Sequence, residues 1–115
     1  MVAVVFEVEI NPGKKSAYLD LASQLKQDLT GIKGFISIER FQSLAKEEKL
    51  LSLSYWENEE AIAQWRNLDS HREVQFLGRN EIFTEYHLKV CQVIRNYGMH
   101  DRYQAPPDSQ TFHKK

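Results

Sequence analysis

The first nine residues after the initial methionine, Val2 to Ile10, read V-A-V-V-F-E-V-E-I and put Val4, Phe6, Val8 and Ile10 on one side of an extended chain. Side chains of a strand alternate between its faces, so the pattern predicts a first strand. Asn11-Pro12-Gly13 breaks it. Tyr18, Leu21, Ala22, Leu25 and Leu29 then recur at steps of three and four, which draws one apolar stripe down a helix that Thr30-Gly31 and Gly34 bring to an end. Strand-like runs return in Phe35 to Phe41 and Leu50 to Trp56. The charged stretch Lys46-Glu47-Glu48-Lys49 between them suits an exposed hairpin loop and predicts antiparallel pairing.

Asn58-Glu59-Glu60 has the chemistry of a helix start, a capping amide followed by acids near the positive end of the helix dipole. Ala61, Ile62, Trp65 and Leu68 form the buried face of that helix. Ser70-His71-Arg72-Glu73 matches the S-x-x-E capping box, which predicts a break near Asp69 and a new segment capped by Ser70 and running through Val74 and Leu77. Tyr86 to Tyr97 is the last predicted strand, with Leu88, Val90 and Ile94 on one side and Cys91 and Val93 on the other. After Gly98 the chain turns polar and contains Pro106-Pro107. The expected division is a domain over residues 1–98 and a loose tail or arm over 99–115.

Strand, helix, strand, strand, helix, strand is the order of the ferredoxin-like split βαβ sandwich, an α+β fold. Such a sheet carries helices on one face. Here the strands hold apolar residues on both sides: Val5 as well as Val4, Ile36 and Ile38 as well as Phe35, Leu50 as well as Leu51. A bare apolar sheet face is rare on a soluble monomer. A second copy of the chain, in a two-fold homodimer, is the economical cover.

A chain of 115 residues has room for one core. The formal net charge of -1 offers no basic surplus for phosphates, so neither nucleic acid nor an anionic membrane is nominated, and a small apolar or aromatic ligand stays open. The start has no positive segment before its apolar run and is too short to span a bilayer, and the only cysteine is Cys91; together these lead us to expect a cytoplasmic, reducing location.

From Leu53 onward, the residues S-Y-W-E-N-E-E-A-I-A-Q-W-R-N-L-D-S-H, then R-E-V-Q-F-L-G-R and Y-H-L-K-V-C-Q-V-I-R-N-Y, resemble the antibiotic biosynthesis monooxygenase domain family. The recognisable pieces are Tyr55-Trp56-Glu57, Glu60-Ala61 to Trp65, His71, Gly78-Arg79, and Arg95 with Tyr97. The resemblance implies a dimeric α+β barrel. Its members include cofactor-free oxygenases of electron-rich aromatic polyketides and quinols, and haem-degrading enzymes. Trp65 falls where the haem-degrading branch has a helix tryptophan. That branch has an asparagine where Phe6 stands and an iron-ligating histidine where Gln75 stands, and an amide is a poor axial ligand.

His71 leads the candidates for chemistry. In the first turn of a helix the dipole favours the neutral imidazole, which can accept a proton from a phenol or enol. The plainer reading is a solvated histidine at a helix start. Trp65 and Phe6 could stack on an aromatic ligand or simply fill the core. Arg40 alternates with Ile36 and Ile38, so it holds a substrate anion or pairs with an acid across the dimer interface. Tyr55 could donate a hydrogen bond in the pocket or merely end a strand. Arg79 and Arg95 read as surface or interface charges, and Cys91 as a buried small residue rather than a nucleophile. His71, His87, His100 and His113 show no ligand spacing, so neither metal nor a resident cofactor is expected.

Three functions compete. The first is a cofactor-independent monooxygenase or related oxidoreductase of a small aromatic or quinol-like compound. The second is a non-catalytic ligand-binding or sensing module in the same pocket. The third is an interaction domain whose interior is filled by its own side chains. A cavity beside His71 and Trp65 separates the first two from the third.

Overall fold

The computed structural model describes residues 1–113; the side chains of Asp69 and Ser70 lie outside that description. The elements are β1 (Val2–Ile10), α1 (Lys15–Leu29), β2 (Phe35–Gln42), β3 (Lys49–Trp56), α2 (Glu59–Arg66), α3 (Asp69–Leu77), a π-helical turn (Gly78–Ile82), β4 (Phe83–Gln92) and α4 (Pro107–Phe112). The four strands form one antiparallel sheet in the order β2-β3-β1-β4. This is the α+β ferredoxin-like arrangement that the element order implied.

Alternation decides what each strand presents. Val2, Val4, Val8 and Ile10 of β1 are buried on the side that faces the helices, as are Leu50, Ser52, Ser54 and Trp56 of β3. Tyr18, Ala22, Leu25 and Leu29 of α1 pack against this face. The core gathers into two clusters, one around Val2, Val4, Leu29, Trp56, Ala61 and Ile62 and one around Val8, Ile10, Tyr18, Leu50 and Ile82. Gly34 joins α1 to β2 at a φ of +96°, and a side chain there would press on Ala61 of α2. A residue without a Cβ is therefore required at that turn.

Of the two helix starts that the sequence marks with a capping residue, one holds. Asn58 caps α2, its Oδ1 accepting from the Ala61 N–H at 2.9 Å. Ser70 does not stand at the cap of α3: Leu68 holds that position in extended conformation, and Asp69 is the first helical residue. The capping box is displaced because the Leu68 carbonyl already accepts from the Arg72 N–H, at 3.0 Å, which starts the helix two residues earlier. His71 remains in the first turn.

Two strand readings need correcting. A bulge between Phe35 and Ser37 interrupts the alternation of β2, so that Phe35 and Ile38 both pack on the helix side while Ile36 is exposed. The last strand runs from Phe83 to Gln92 rather than from Tyr86 to Tyr97, because Val2 at the start of β1 pairs with Gln92 and only the Met1 carbonyl is left to accept from Val93. Beyond that point the backbone has no partner strand. Residues 93–113 instead fold on themselves, with Arg102 donating to the Gly98 carbonyl and the Ser109 hydroxyl and the Asn96 N–H to Gln104 Oε1, and they add the short helix α4. The radius of gyration is 16.9 Å, against roughly 13 Å for a compact chain of about this size.

The face of the sheet turned away from α1, α2 and α3 carries Val5, Phe41, Leu51, Leu53 and Tyr55, with Glu7, Glu9 and Lys89 toward one side. Cys91, opposite Ala3 on this face, is exposed and not the buried residue that its strand position suggested. No helix among the described residues is long and apolar enough to cross a membrane.

Candidate functional site

Register aligns two rows of side chains across the helix-covered face. Leu88, Phe6, Ser52 and Arg40 lie side by side on β4, β1, β3 and β2, and the adjoining row is Val90, Val4, Ser54 and Ile38. Serine at two successive inward positions of a central strand leaves space that leucine or valine would fill. Over this gap stand Tyr18, Ala22 and Leu25 of α1, Trp65 of α2, and His71, Val74 and Gln75 of α3. Together they enclose a partly open, mainly apolar cavity of about 80 Å³.

The aromatic side chains are ordered by their contacts. Trp65 stacks on buried Trp56 with ring centroids 5.3 Å apart, and Trp56 Nε1 donates to Ser54 Oγ at 2.9 Å, so the indole of Trp65 rests on a fixed floor. The His71 ring lies 4.3 Å from the Trp65 ring, centroid to centroid. Phe6 meets Phe83 and Tyr86 at 6.0 Å and 5.6 Å. These rings present flat apolar surfaces to anything in the cavity.

Three polar atoms in this lining are buried and have no hydrogen-bond partner: Arg40 Nε, Trp65 Nε1 and His71 Nδ1. Buried polar groups are almost always paired in folded proteins, so three orphans bordering one cavity make it the candidate place for a polar guest. Burial lowers the pKa of His71 below its ordinary 6.5, because the apolar surroundings disfavour the imidazolium. At neutral pH the ring is uncharged and able to take a proton.

Four of the five residues singled out in the sequence thus meet: His71, Trp65, Phe6 and Arg40 line the same space. Tyr55 does not join them. It pairs with Ala3 and Ser37 and points from the open face of the sheet, since β3 sends odd-numbered residues that way. Arg40 faces the helices, which removes the basis for pairing it with an acid across a sheet-to-sheet interface. Ser52, Tyr18 and Phe83 also line the cavity; for Ser52 the legible signal is a pair of small hydroxyls, Ser52 and Ser54, between Leu50 and Trp56 on the buried side of β3. Gln75 also lines the cavity and offers an amide where iron would need an imidazole, so the lining does not fit haem. Among the described residues no three His, Cys, Asp or Glu side chains gather as a metal site.

Known proteins resemble the chain in both sequence and fold. The family model for antibiotic biosynthesis monooxygenases matches residues 1–75, ending at the α3 wall of the cavity. The jasmonate monooxygenase ABM of Pyricularia oryzae is 39% identical over 93 residues, which cover 81% of this chain. The chain spans only 43% of that relative's length. Among solved structures, a conserved protein from Methanosarcina mazei Go1 superimposes with a TM-score of 0.73 at 22% identity, over 79% of this chain and 90% of that one. A candidate antibiotic biosynthesis monooxygenase from Deinococcus radiodurans gives 0.75 at 13% identity, over 86% and 98%. At such identities the structural likeness speaks for the fold.

Proposed function

The chain belongs to the antibiotic biosynthesis monooxygenase family, and on that footing we propose that it is a cofactor-independent monooxygenase of a small aromatic or quinol-like compound bound between the sheet and α3. The observation that carries this reading is the meeting of a neutral, half-buried His71 with Trp65 and Phe6 around one mainly apolar cavity. His71 is the general base. It takes a proton from an activated methylene of the substrate, whose carbanion is delocalised into a phenol or quinol ring lying against Trp65 and Phe6. The carbanion adds dioxygen, forming a C–O bond, and the imidazolium returns its proton to the peroxide oxygen. Loss of the second C–H proton with cleavage of the O–O bond releases water and leaves a carbonyl. All four electrons come from the substrate, so one methylene and one dioxygen yield one carbonyl and one water with no external reductant.

A cavity of about 80 Å³ holds a few waters, whereas ligand pockets commonly reach roughly 300 Å³ or more. Substrate entry therefore moves α3 outward. That helix is bounded by the break at Asn67-Leu68 and by the π-helical turn, the two places where its ladder of hydrogen bonds is interrupted. A second copy of the chain covers Val5, Phe41, Leu51, Leu53 and Tyr55, the apolar patch that the helices leave bare.

Oxygen uptake with a panel of phenols and quinols tests the reaction. Jasmonate belongs in that panel because of the Pyricularia relative's name. The expected result is substrate-dependent uptake by the native protein that falls roughly 10²- to 10⁴-fold in His71→Ala. Equal turnover in the two proteins would remove His71 from the mechanism. Binding without any uptake by the native protein would leave a ligand-binding module in place of an enzyme.

A further inference from the structure

The reaction proposed above needs a base and a ring-binding surface, but it has no use for a guanidinium. Arg40 nonetheless lines the cavity, on the row Leu88, Phe6, Ser52, Arg40. Its Nε is buried without a partner among the described residues, while the residue as a whole is only partly buried. A cation beside apolar side chains without a counter-charge is costly unless something else supplies the anion.

The described acids of the neighbouring strands and helices are turned elsewhere. Glu7 and Glu9 of β1 and Glu39 of β2 alternate onto the open face of the sheet, and Glu7 and Glu9 there meet Lys89 and Lys46. Asp20 and Asp28 of α1 and Glu73 of α3 are exposed. Among the described residues no acid lines the cavity. Directly across from Arg40 stands Ser52, whose hydroxyl is a second donor on the same row and is itself buried.

We infer that Arg40, with Ser52 beside it, is the anchor for a carboxylate on the substrate, and that the natural substrate is an apolar carboxylic acid rather than a neutral phenol. A carboxylate is planar and singly charged. It matches one guanidinium fork and leaves no second charge uncompensated, as a phosphate dianion would. Most of the remaining lining is apolar, so the rest of the molecule is mainly hydrocarbon or aromatic. Arg40 then sets specificity and orientation, while proton transfer stays with His71. The inference rests on the reading of this cavity as a substrate site but not on the oxygenation itself.

Binding of phenylacetate and of its neutral amide, phenylacetamide, followed by titration calorimetry at fixed ionic strength, provides the test. The native protein should bind the acid about tenfold to a hundredfold more tightly than the amide, in keeping with a charge-assisted hydrogen bond in a partly buried site. Arg40→Met should lose that preference while holding the amide as before. His71→Ala should retain it, which separates this claim from the catalytic one. Thermal melting adds an independent readout: with no partner to lose, Arg40→Met should melt at or above the native temperature. Equal affinity of the native protein for acid and amide would overturn the inference. So would a marked fall in melting temperature for Arg40→Met, which would mean that the guanidinium is paired within the protein or with a second copy.

Discussion

Gly78 begins the π-helical turn that follows α3, with helical φ and ψ of -57° and -51°, so alanine fits its backbone without strain. Backbone propensity alone predicts that Gly78→Ala stabilises the protein by about 0.5–1 kcal/mol. Packing predicts the opposite. A Cβ built on Gly78 lies 2.7 Å from Cζ and 2.9 Å from Cδ2 of Phe83, and closer still to Cε2. Carbon atoms in contact sit roughly 3.5–4.0 Å apart, so the ring would have to retreat by about 1 Å. It has little room to do so, because Phe83 packs edge-on against Tyr18 at 5.7 Å, Tyr86 at 5.8 Å and Phe6 at 6.0 Å. Overpacking of this kind costs about 1–3 kcal/mol, which exceeds the backbone gain. The expected net effect is a loss of about 1–2 kcal/mol in urea unfolding, measured at one protein concentration so that any association contributes equally. In a Phe83→Leu background, where the clashing ring edge is gone, most of that loss should vanish. Gly78→Ala equal to or more stable than native, or costs that simply add in the double variant, would refute the packing argument. Phe83 also walls the cavity, so the same substitution should weaken ligand binding.

The lowered pKa of His71 has a signed consequence for stability. Above about pH 6.5 the ring is neutral in both the folded and unfolded chain and contributes nothing to pH dependence. As the pH falls below that value the unfolded chain takes the proton first, so stability declines until the folded pKa is passed. Urea titrations of native protein and His71→Gln from about pH 7.5 to about 5 should therefore diverge below roughly 6.5, the variant losing less; parallel curves would contradict the assignment. The acid limb of kcat/KM for oxygen uptake should lie below about pH 6.5 for the same reason. Sedimentation of the native chain at micromolar concentration should give twice the 13.5 kDa of one copy, and Leu53→Glu, which sets a charge in the open sheet face, should give one. A native protein that sediments as a single chain would remove the homodimer.

Much of the architecture was legible in the order of the residues. The inward set Val4, Val8 and Ile10 of β1, the stripe Tyr18, Ala22, Leu25 and Leu29 of α1, and the Asn58 cap of α2 are all where periodicity put them. Each depends on neighbours within a few positions along the chain, and local geometry repeats about every 2 or 3.6 residues whatever lies beyond. His71, Trp65, Phe6 and Arg40 stood out by side-chain chemistry together with their local place on a helix start or a strand face.

What alternation along a single strand could not decide was settled by pairing between strands. The bulge at Phe35 and Ser37 turned Ile36 outward, the length of β1 ended β4 at Gln92, and the register of β3 sent Tyr55 to the open face with its neighbours Leu51 and Leu53. The cavity belongs to the same class. Arg40 and His71 stand on β2 and α3, far apart in sequence, and only the sheet order β2-β3-β1-β4 with the helices laid over it brings them to one space. Composition and periodicity determine which faces are apolar; which of those faces meet depends on contacts between distant segments, whose energies no local window contains.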